Sequence, residues 1–168
     1  GDVYKRQLPS GRMGVMLDIG SVGNLAGSQW VRTLSRVCSS VGNMLAKTHK
    51  RDRPVKVSGV GTGSQACEWN AHLPVCLKFY GGQDKTNPGF QKACYRVPVV
   101  PDSDLPALAG YDTLQNSRCL IDCNKDQVFM MGPGEYNLLE HLPPGSRQVE
   151  TERATTGHLM MPIDHYQE

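Results

Sequence analysis

Asp18 ends an apolar run and is followed at once by Ile19, Gly20 and Ser21 in "VMLDIGSVGNLAG", Val15 to Gly27. A carboxylate set where a strand runs into a glycine-containing loop can serve as a general acid or base, because it meets solvent while the strand fixes its backbone. The same residues also make an ordinary turn, since Asp hydrogen-bonds its own backbone two residues on and Gly accepts positive φ. What the rest of the chain places around Asp18 must separate the two readings.

The other groups with reactive chemistry are less organised. Cys38, Cys67, Cys76, Cys94, Cys119 and Cys123 contain no C-x-x-C pair. Zinc needs paired short spacings to bring four ligands around one ion, and only Cys119 and Cys123 come close, with no matching histidine pair. Half-buried positions on one face of a strand pair account for those two. Free thiols of a reducing compartment are expected, with no metal and no cofactor. His72, His141, His158 and His165 have no Cys or Ser nucleophile at a telling distance, so surface or packing roles are expected for them. Asp102 and Asp104 sit in a proline-flanked loop that they solvate.

The chain of 168 residues has an apolar fraction of 39%, 18 glycines, 11 prolines and a formal charge of +2, which suits a globular domain rich in strands and turns. No apolar run is long enough to cross a bilayer and nothing at the start reads as a signal peptide, so an intracellular, cytoplasmic protein without a membrane partner is expected. Basic residues cluster in "KTHKRDRPVK", Lys47 to Lys56, without an interleaved aromatic residue to stack on bases. That stretch reads as a solvated loop, and nucleic acid is not an expected partner. "DVYKRQ", Asp2 to Gln7, is the translation of GATGTGTATAAGAGACAG, which resembles a transposon end used to tag DNA for sequencing. Residues 1–7 are set aside as such a scar, and the native chain is expected to start further upstream.

The elements that must position Asp18 follow in a legible order. "GRMGVMLD" reads as a short strand into the Asp18 turn. Trp30, Val31, Leu34, Val37, Cys38 and Val41 then recur at helical spacing, with Ser28 as the N-cap. "RPVKVSGVGTGSQACEWNAHLPVCLKFY" reads as two strands flanking a glycine-rich tip at 58–63, followed by a turn "GGQDKTNPG", a strand "FQKACYRVPVV" and a loop "PDSDLP". "ALAGYDTLQNS" places a strand end against a short helix, and "RCLIDCNKDQVFMM" is a hairpin turning at Asn124 to Asp126. Helix is the minority, so the fold class is mainly β.

This order of "LDIGS", glycine-tipped "VSGVGTGS", "LPALAGYDTL" and "CLID" resembles that of the retropepsin-like aspartic proteases of retroviruses and retrotransposons. The resemblance covers roughly Val15 to Phe129. It implies a closed β-barrel with one or two short helices over 8–131, with 132–168 as a C-terminal extension like those of retroelement polyproteins. It also implies a catalytic Asp18, a loop supported by Ile19, Gly20 and Ser21, a flap made by Ser58, Gly59, Val60, Gly61, Thr62 and Gly63, and structural support from Gly110 and Asp112.

Peptide hydrolysis of this kind uses two carboxylates that share one proton, one acting as base on a water and the other donating to the scissile carbonyl. The chain has a single Asp-x-Gly-Ser stretch, so a two-fold homodimer would supply both acids. Gly20 would let the loop backbone approach its symmetry mate, Ser21 would bond the outer carboxylate oxygen, and the flap would open and close over a peptide. Asp112 would cap or brace its helix. Ile19 departs from the family pattern, which has a Thr or Ser hydroxyl bonding across the dimer axis. Apolar contact between two isoleucines would offset part of that loss, with small Ala109 leaving room. The resemblance therefore implies an aspartic endopeptidase that processes a retroelement polyprotein inside the cell or its particles. The alternative is a retropepsin-fold dimerisation or peptide-binding module that has lost catalysis.

Overall fold

Trp30, Val31, Leu34 and Cys38 fall on one side of α1 (Ser28–Ser40), which buries Trp30, Val31 and Cys38. The computed structural model describes residues 8–58, 63–81 and 88–167. In chain order the strands are β1 (Met16–Leu17), β2 (Ala26–Gly27), β3 (Lys47–Val57), β4 (Gln65–Tyr80), β5 (Pro88–Val100), β6 (Leu108–Ala109), β7 (Cys119–Asp122), β8 (Gln127–Met130), β9 (Glu152–Arg153) and β10 (Leu159–Met160); a second helix, α2 (Tyr111–Asn116), follows β6. The chain is mainly β. No helix among the described residues is long and apolar enough to cross a membrane.

The chain divides into two compact units, Gly1–Met16 with Asn24–Leu108 and Leu17–Gly23 with Ala109–Glu168. The expected division at 131/132 falls inside the second unit. In the first, β2, β5, β4 and β3 form a four-stranded sheet in that order. β3, β4 and β5 run antiparallel, and β2 pairs parallel with the end of β5 through Ala26↔Val99 and Gly27↔Val100. One face of this sheet supplies Ala71, Leu73, Tyr95 and Val97, which pack with Trp30 and Val31 of α1 into the core. Each large side chain so buried contributes about 1.5–3 kcal/mol.

Among the described residues the expected closed barrel is not found. Among the described residues the strands make one four-stranded sheet and three two-stranded ones, and the four-stranded sheet keeps β2 and β3 as its edges. The physical cause lies in β3. The basic stretch read as a loop is this edge strand, exposed along most of its length and shifted in register between Lys50 and Val55. Charges and a bulge on an edge oppose further strand pairing, and closure needs every edge paired.

Ser28 is not the N-cap of α1. Gly27 takes that place in an extended conformation, and Ser28 is the first helical residue, its hydroxyl oxygen accepting from the Ser103 N–H at 3.3 Å. The loop after β5 occupies the capping position instead, because the Ser103 carbonyl accepts from the Gln29 N–H at 3.1 Å. A Cβ on Gly27 would lie 2.5 Å from that same carbonyl. Val41, expected on the apolar face, falls after the last turn and is 83% exposed.

In the second unit, β7 and β8 form the expected hairpin, turned by Asp122, whose carboxylate accepts from the Asn124 and Lys125 N–H groups. Cys119 starts β7 half-buried, whereas Cys123 lies exposed in the turn beyond the strand, so period two does not pair them. Past the hairpin come a 3-10 turn at Leu138–His141 and the small antiparallel pair of β9 and β10.

Candidate active site

The Asp18 loop, 17–23, is held within the second unit almost wholly by backbone. The Asp18 N–H donates to the Ala109 carbonyl at 3.0 Å, continuing the line of β1 beside β6. Past the turn, the Tyr111 N–H donates to the Ser21 carbonyl at 2.7 Å and the Asp112 N–H to the Val22 carbonyl at 3.0 Å. Both donors sit in the first turn of α2, where N–H groups have no partner inside the helix, so the loop satisfies them. Gly110, immediately before, is buried against Gly23: a Cβ there would fall 2.3 Å from the Gly23 carbonyl oxygen. Only a residue without a side chain lets the loop lie this close.

Asp18 is half-buried, and its Oδ1 accepts from the Gly20 N–H at 2.9 Å. The Ser21 N–H donates to the Asp18 carbonyl at 3.2 Å, which closes the turn. The turn and the presented acid are thus one object. The expected bond from Ser21 to the Asp18 carboxylate is absent; the Ser21 hydroxyl donates to the Gly23 carbonyl at 2.6 Å instead. That carbonyl lies on the same tight loop, and the Gly20 N–H already takes the near side of the carboxylate. A Cβ on Gly20 would approach Oδ1 to 3.1 Å, so glycine here serves the acid of its own chain.

Ile19 projects outward, 54% exposed, and borders an open hollow of about 460 Å³ with Tyr111, Leu114, Cys119, Ile121 and Tyr136. Burial pushes the Cys119 thiol up from its ordinary range, so it stays neutral, and Gln115, Arg118 and Glu135 line the same hollow. Leu17, beside Asp18, is also exposed. Asp112 does not cap α2 through its side chain; it lies in the first turn, where its charge favours the helix dipole, and faces Arg153 Nη2 at 3.8 Å.

Arg153 is a residue that sequence reasoning left in an undifferentiated extension. Its guanidinium stacks over the Tyr111 ring with 4.3 Å to the centroid, and Nη2 lies 3.3 Å from Gln115 Oε1 while Nη1 donates to the Gly157 carbonyl. Gly157, at positive φ, lies near the Asp18 loop: a Cβ there would fall 3.3 Å from Val22 Cγ1. The tail segment 152–158 therefore braces α2 through Arg153 and runs close to the loop. Nothing local in "VETERATTGHL" signals this, because the contacts reach across some 40 residues of chain.

The flap expectations fall in the first unit. Ser58 follows β3 and Gly63, at φ +82, precedes β4, so the two strands are joined as expected; Gly59, Val60, Gly61 and Thr62 lie outside the described residues. His141 is exposed, and the other histidines make surface contacts. His165 Nε2 lies 2.6 Å from Glu150 Oε2, His158 Nδ1 lies 2.7 Å from the Thr156 hydroxyl, and the His72 and His49 rings meet at a tilt of 55°. Asp102 and Asp104 are exposed, and all the cysteines are free thiols. Comparisons with protein-family models, with curated proteins and with solved structures each find no match to this chain.

Proposed function

We propose that the chain is an aspartic endopeptidase that acts as a homodimer, with one Asp18 from each copy, on a peptide or polyprotein such as that of a retroelement. The observation that carries this reading is the Asp18 loop itself. It holds the half-buried Asp18 carboxylate on a frame of backbone hydrogen bonds, with Oδ1 accepting from the Gly20 N–H and the loop seated against Gly110. The Oδ1 bond to Gly20 is one that an ordinary turn also makes; what supports a catalytic acid is the seating of the loop on the first turn of α2 and on Gly110, which fixes where that acid is held.

With Oδ1 engaged, Oδ2 is the atom that works on the substrate. Across a two-fold axis the two carboxylates share one proton, since like charges so close do not both ionise. The unprotonated one takes a proton from water, and the other donates to the oxygen of the scissile carbonyl as the tetrahedral intermediate forms. Exposed Leu17 and Ile19 supply apolar contact at the axis in place of cross-axis hydroxyls. Closure of the 58–63 segment over bound peptide and a retropepsin-type arrangement of the dimer belong to this same reading.

Exposure of Ile19 also favours a second reading, a dimerising or peptide-binding module without catalysis, because an apolar residue there supports association but leaves the loops without hydroxyl bonds. One experiment separates the two. The full chain is incubated with a peptide library at mildly acidic pH while its association is followed by sedimentation. The protease reading expects a concentration-dependent dimer whose cleavage is lost in Asp18→Asn with dimerisation retained. A dimer that cleaves nothing across the acid range leaves the binding module, and cleavage by a monomer overturns the shared-carboxylate mechanism.

A further inference from the structure

The face of the four-stranded sheet turned away from α1 carries a pattern that the protease reading does not use. Register places Lys47 of β3, His72 of β4 and Arg96 of β5 directly opposite one another in a single row. The next row holds His49 and Asn70, and the His49 and His72 rings stand 4.6 Å apart. Arg51 reaches the same face, its Nη1 donating to Asn70 Oδ1 at 2.6 Å and its Nε to the Arg53 carbonyl at 3.1 Å, which fixes the guanidinium. Like charges directly opposite in a sheet are destabilising. His72 registers the crowding: desolvation first, then His49, Arg96 and Lys47, hold its imidazole below the usual histidine range. On this face β4 sets one acid, Glu68, near the register shift of β3.

A second observation points the same way. Further along the same face Phe90 is 72% exposed and lies opposite Lys78, while Tyr80, two residues beyond Lys78 on β4, is exposed beneath the Lys78 ammonium. From Arg96 to Phe90 is six residues of β5, about 20 Å at strand rise, and Lys92 stands between them on the same face. Cations with exposed aromatic rings along one strip match what single-stranded nucleic acid requires, charge for its phosphates and a flat ring for its bases. An acidic peptide would use the cations and leave the rings without purpose. Lys78, Tyr80, Lys92 and Phe90 stand on the two-stranded part of β4 and β5 beyond the end of β3; a ribbon can also enter a duplex groove, but an exposed ring stacks on bases only where they are unpaired, which favours a single strand.

We propose that this sheet face binds single-stranded nucleic acid, with Lys47, Arg51 and Arg96 on the phosphate backbone and Phe90 stacking on a base. The site is independent of Asp18, so it stands or falls apart from the protease reading. Recognition is by backbone and stacking and does not select a sequence.

The test is fluorescence anisotropy of a labelled 12-nucleotide single-stranded RNA with the full chain over a salt series. The expected result is binding whose logarithm falls linearly with log salt, the slope shrinking by about 0.7 for each phosphate contact removed, so by about 1.4 in the double variant Lys47→Ala/Arg96→Ala. Phe90→Ala is expected to weaken binding by about 5- to 150-fold with the slope unchanged. Lys47→Arg/Arg96→Lys keeps the charge and retains the slope, and Asp18→Asn binds as the parent does. These side chains are exposed, and a thermal melt of each variant confirms that the fold persists. The proposal is overturned by absence of binding at low salt, by a double variant that binds like the parent, by a poly-glutamate peptide of equal charge competing equally well, or by tighter binding of a duplex of the same length.

Discussion

Trp30 and Gly110 are both buried, and they are needed for opposite reasons. Trp30, 1% exposed, fills space between α1 and the sheet, its ring edge-on to Tyr95 at 5.9 Å. Gly110 is needed for the volume it lacks, since the Gly23 carbonyl occupies the place of its side chain. The first unit is built by burial of side chains, and the Asp18 loop of the second by backbone hydrogen bonds at a distance that only glycine permits. A core of the first kind tolerates adjustment of shape. A frame of the second kind depends on a few positions, which is how an acid is held to a fraction of an ångström.

The largest expected effect on this contrast comes from Trp30→Ala. It removes a buried indole from a core that relaxes only partly, and a loss of about 3–5 kcal/mol is expected in urea unfolding, with a lower midpoint and an unchanged slope. An effect below about 1 kcal/mol would mean that the core is not organised around this residue. The indole N–H has no hydrogen-bond partner among the described residues, so the ring's contribution is packing alone.

Gly110→Ala is expected to cost less, about 1–3 kcal/mol, but to act on one place. The added methyl group must push Gly23 away, so the Tyr111 and Asp112 N–H groups lose their loop acceptors. Hydrogen exchange at those two amides is expected to quicken. Unchanged protection there would break the claim that glycine clearance seats the loop.

Tyr95→Phe gives the smallest effect and tests where the first unit does rely on a polar group. The Tyr95 hydroxyl donates to the Leu108 carbonyl at 2.6 Å, and its loss is expected to cost about 1 kcal/mol. Burial pushes the Tyr95 phenol well above its ordinary range, against a smaller opposing pull from that bond. The folded state therefore holds this proton more tightly than the unfolded chain. The contribution is fully present below about pH 10, the ordinary tyrosine value, and is lost as pH rises beyond it. Stability measured from pH 9 to 11 should fall more gently in Tyr95→Phe than in the parent.

Much of this was legible in local sequence. The helical spacing of Trp30, Val31, Leu34, Val37, Cys38 and Val41 predicted α1, though Val41 falls past its end, "FQKACYRVPVV" read as the strand that is β5, and "LDIGS" predicted a turn carrying an acid. Each is a pattern within a dozen residues, set by the geometry of one element. Sequence reading failed where the partner was remote. The α1 cap comes from a carbonyl at Ser103, and the stretch read as a loop pairs with β4 as the edge strand β3; the Ser21 hydroxyl is a different case, a choice between two acceptors on its own loop that the motif did not decide.

The stretch Lys47 to Lys56 shows most clearly what the sequence determined by itself and what it did not. Composition alone makes it basic and keeps it at the surface, because desolvating so many charges without partners is too costly. Whether those charges are scattered over a loop or aligned on one face with the cations of β4 and β5 depends on register, which pairs Lys47 with His72 and His72 with Arg96, and, further along the same face, Lys78 with Phe90. Register is a property of strands brought together from distant parts of the chain, and a shift by one residue would send every one of these side chains to the other face. The acid at Asp18 divides in the same way: "LDIGS" supplies its turn, while the contact of Gly110 with Gly23, nearly 90 residues apart in the chain, decides where the turn is held.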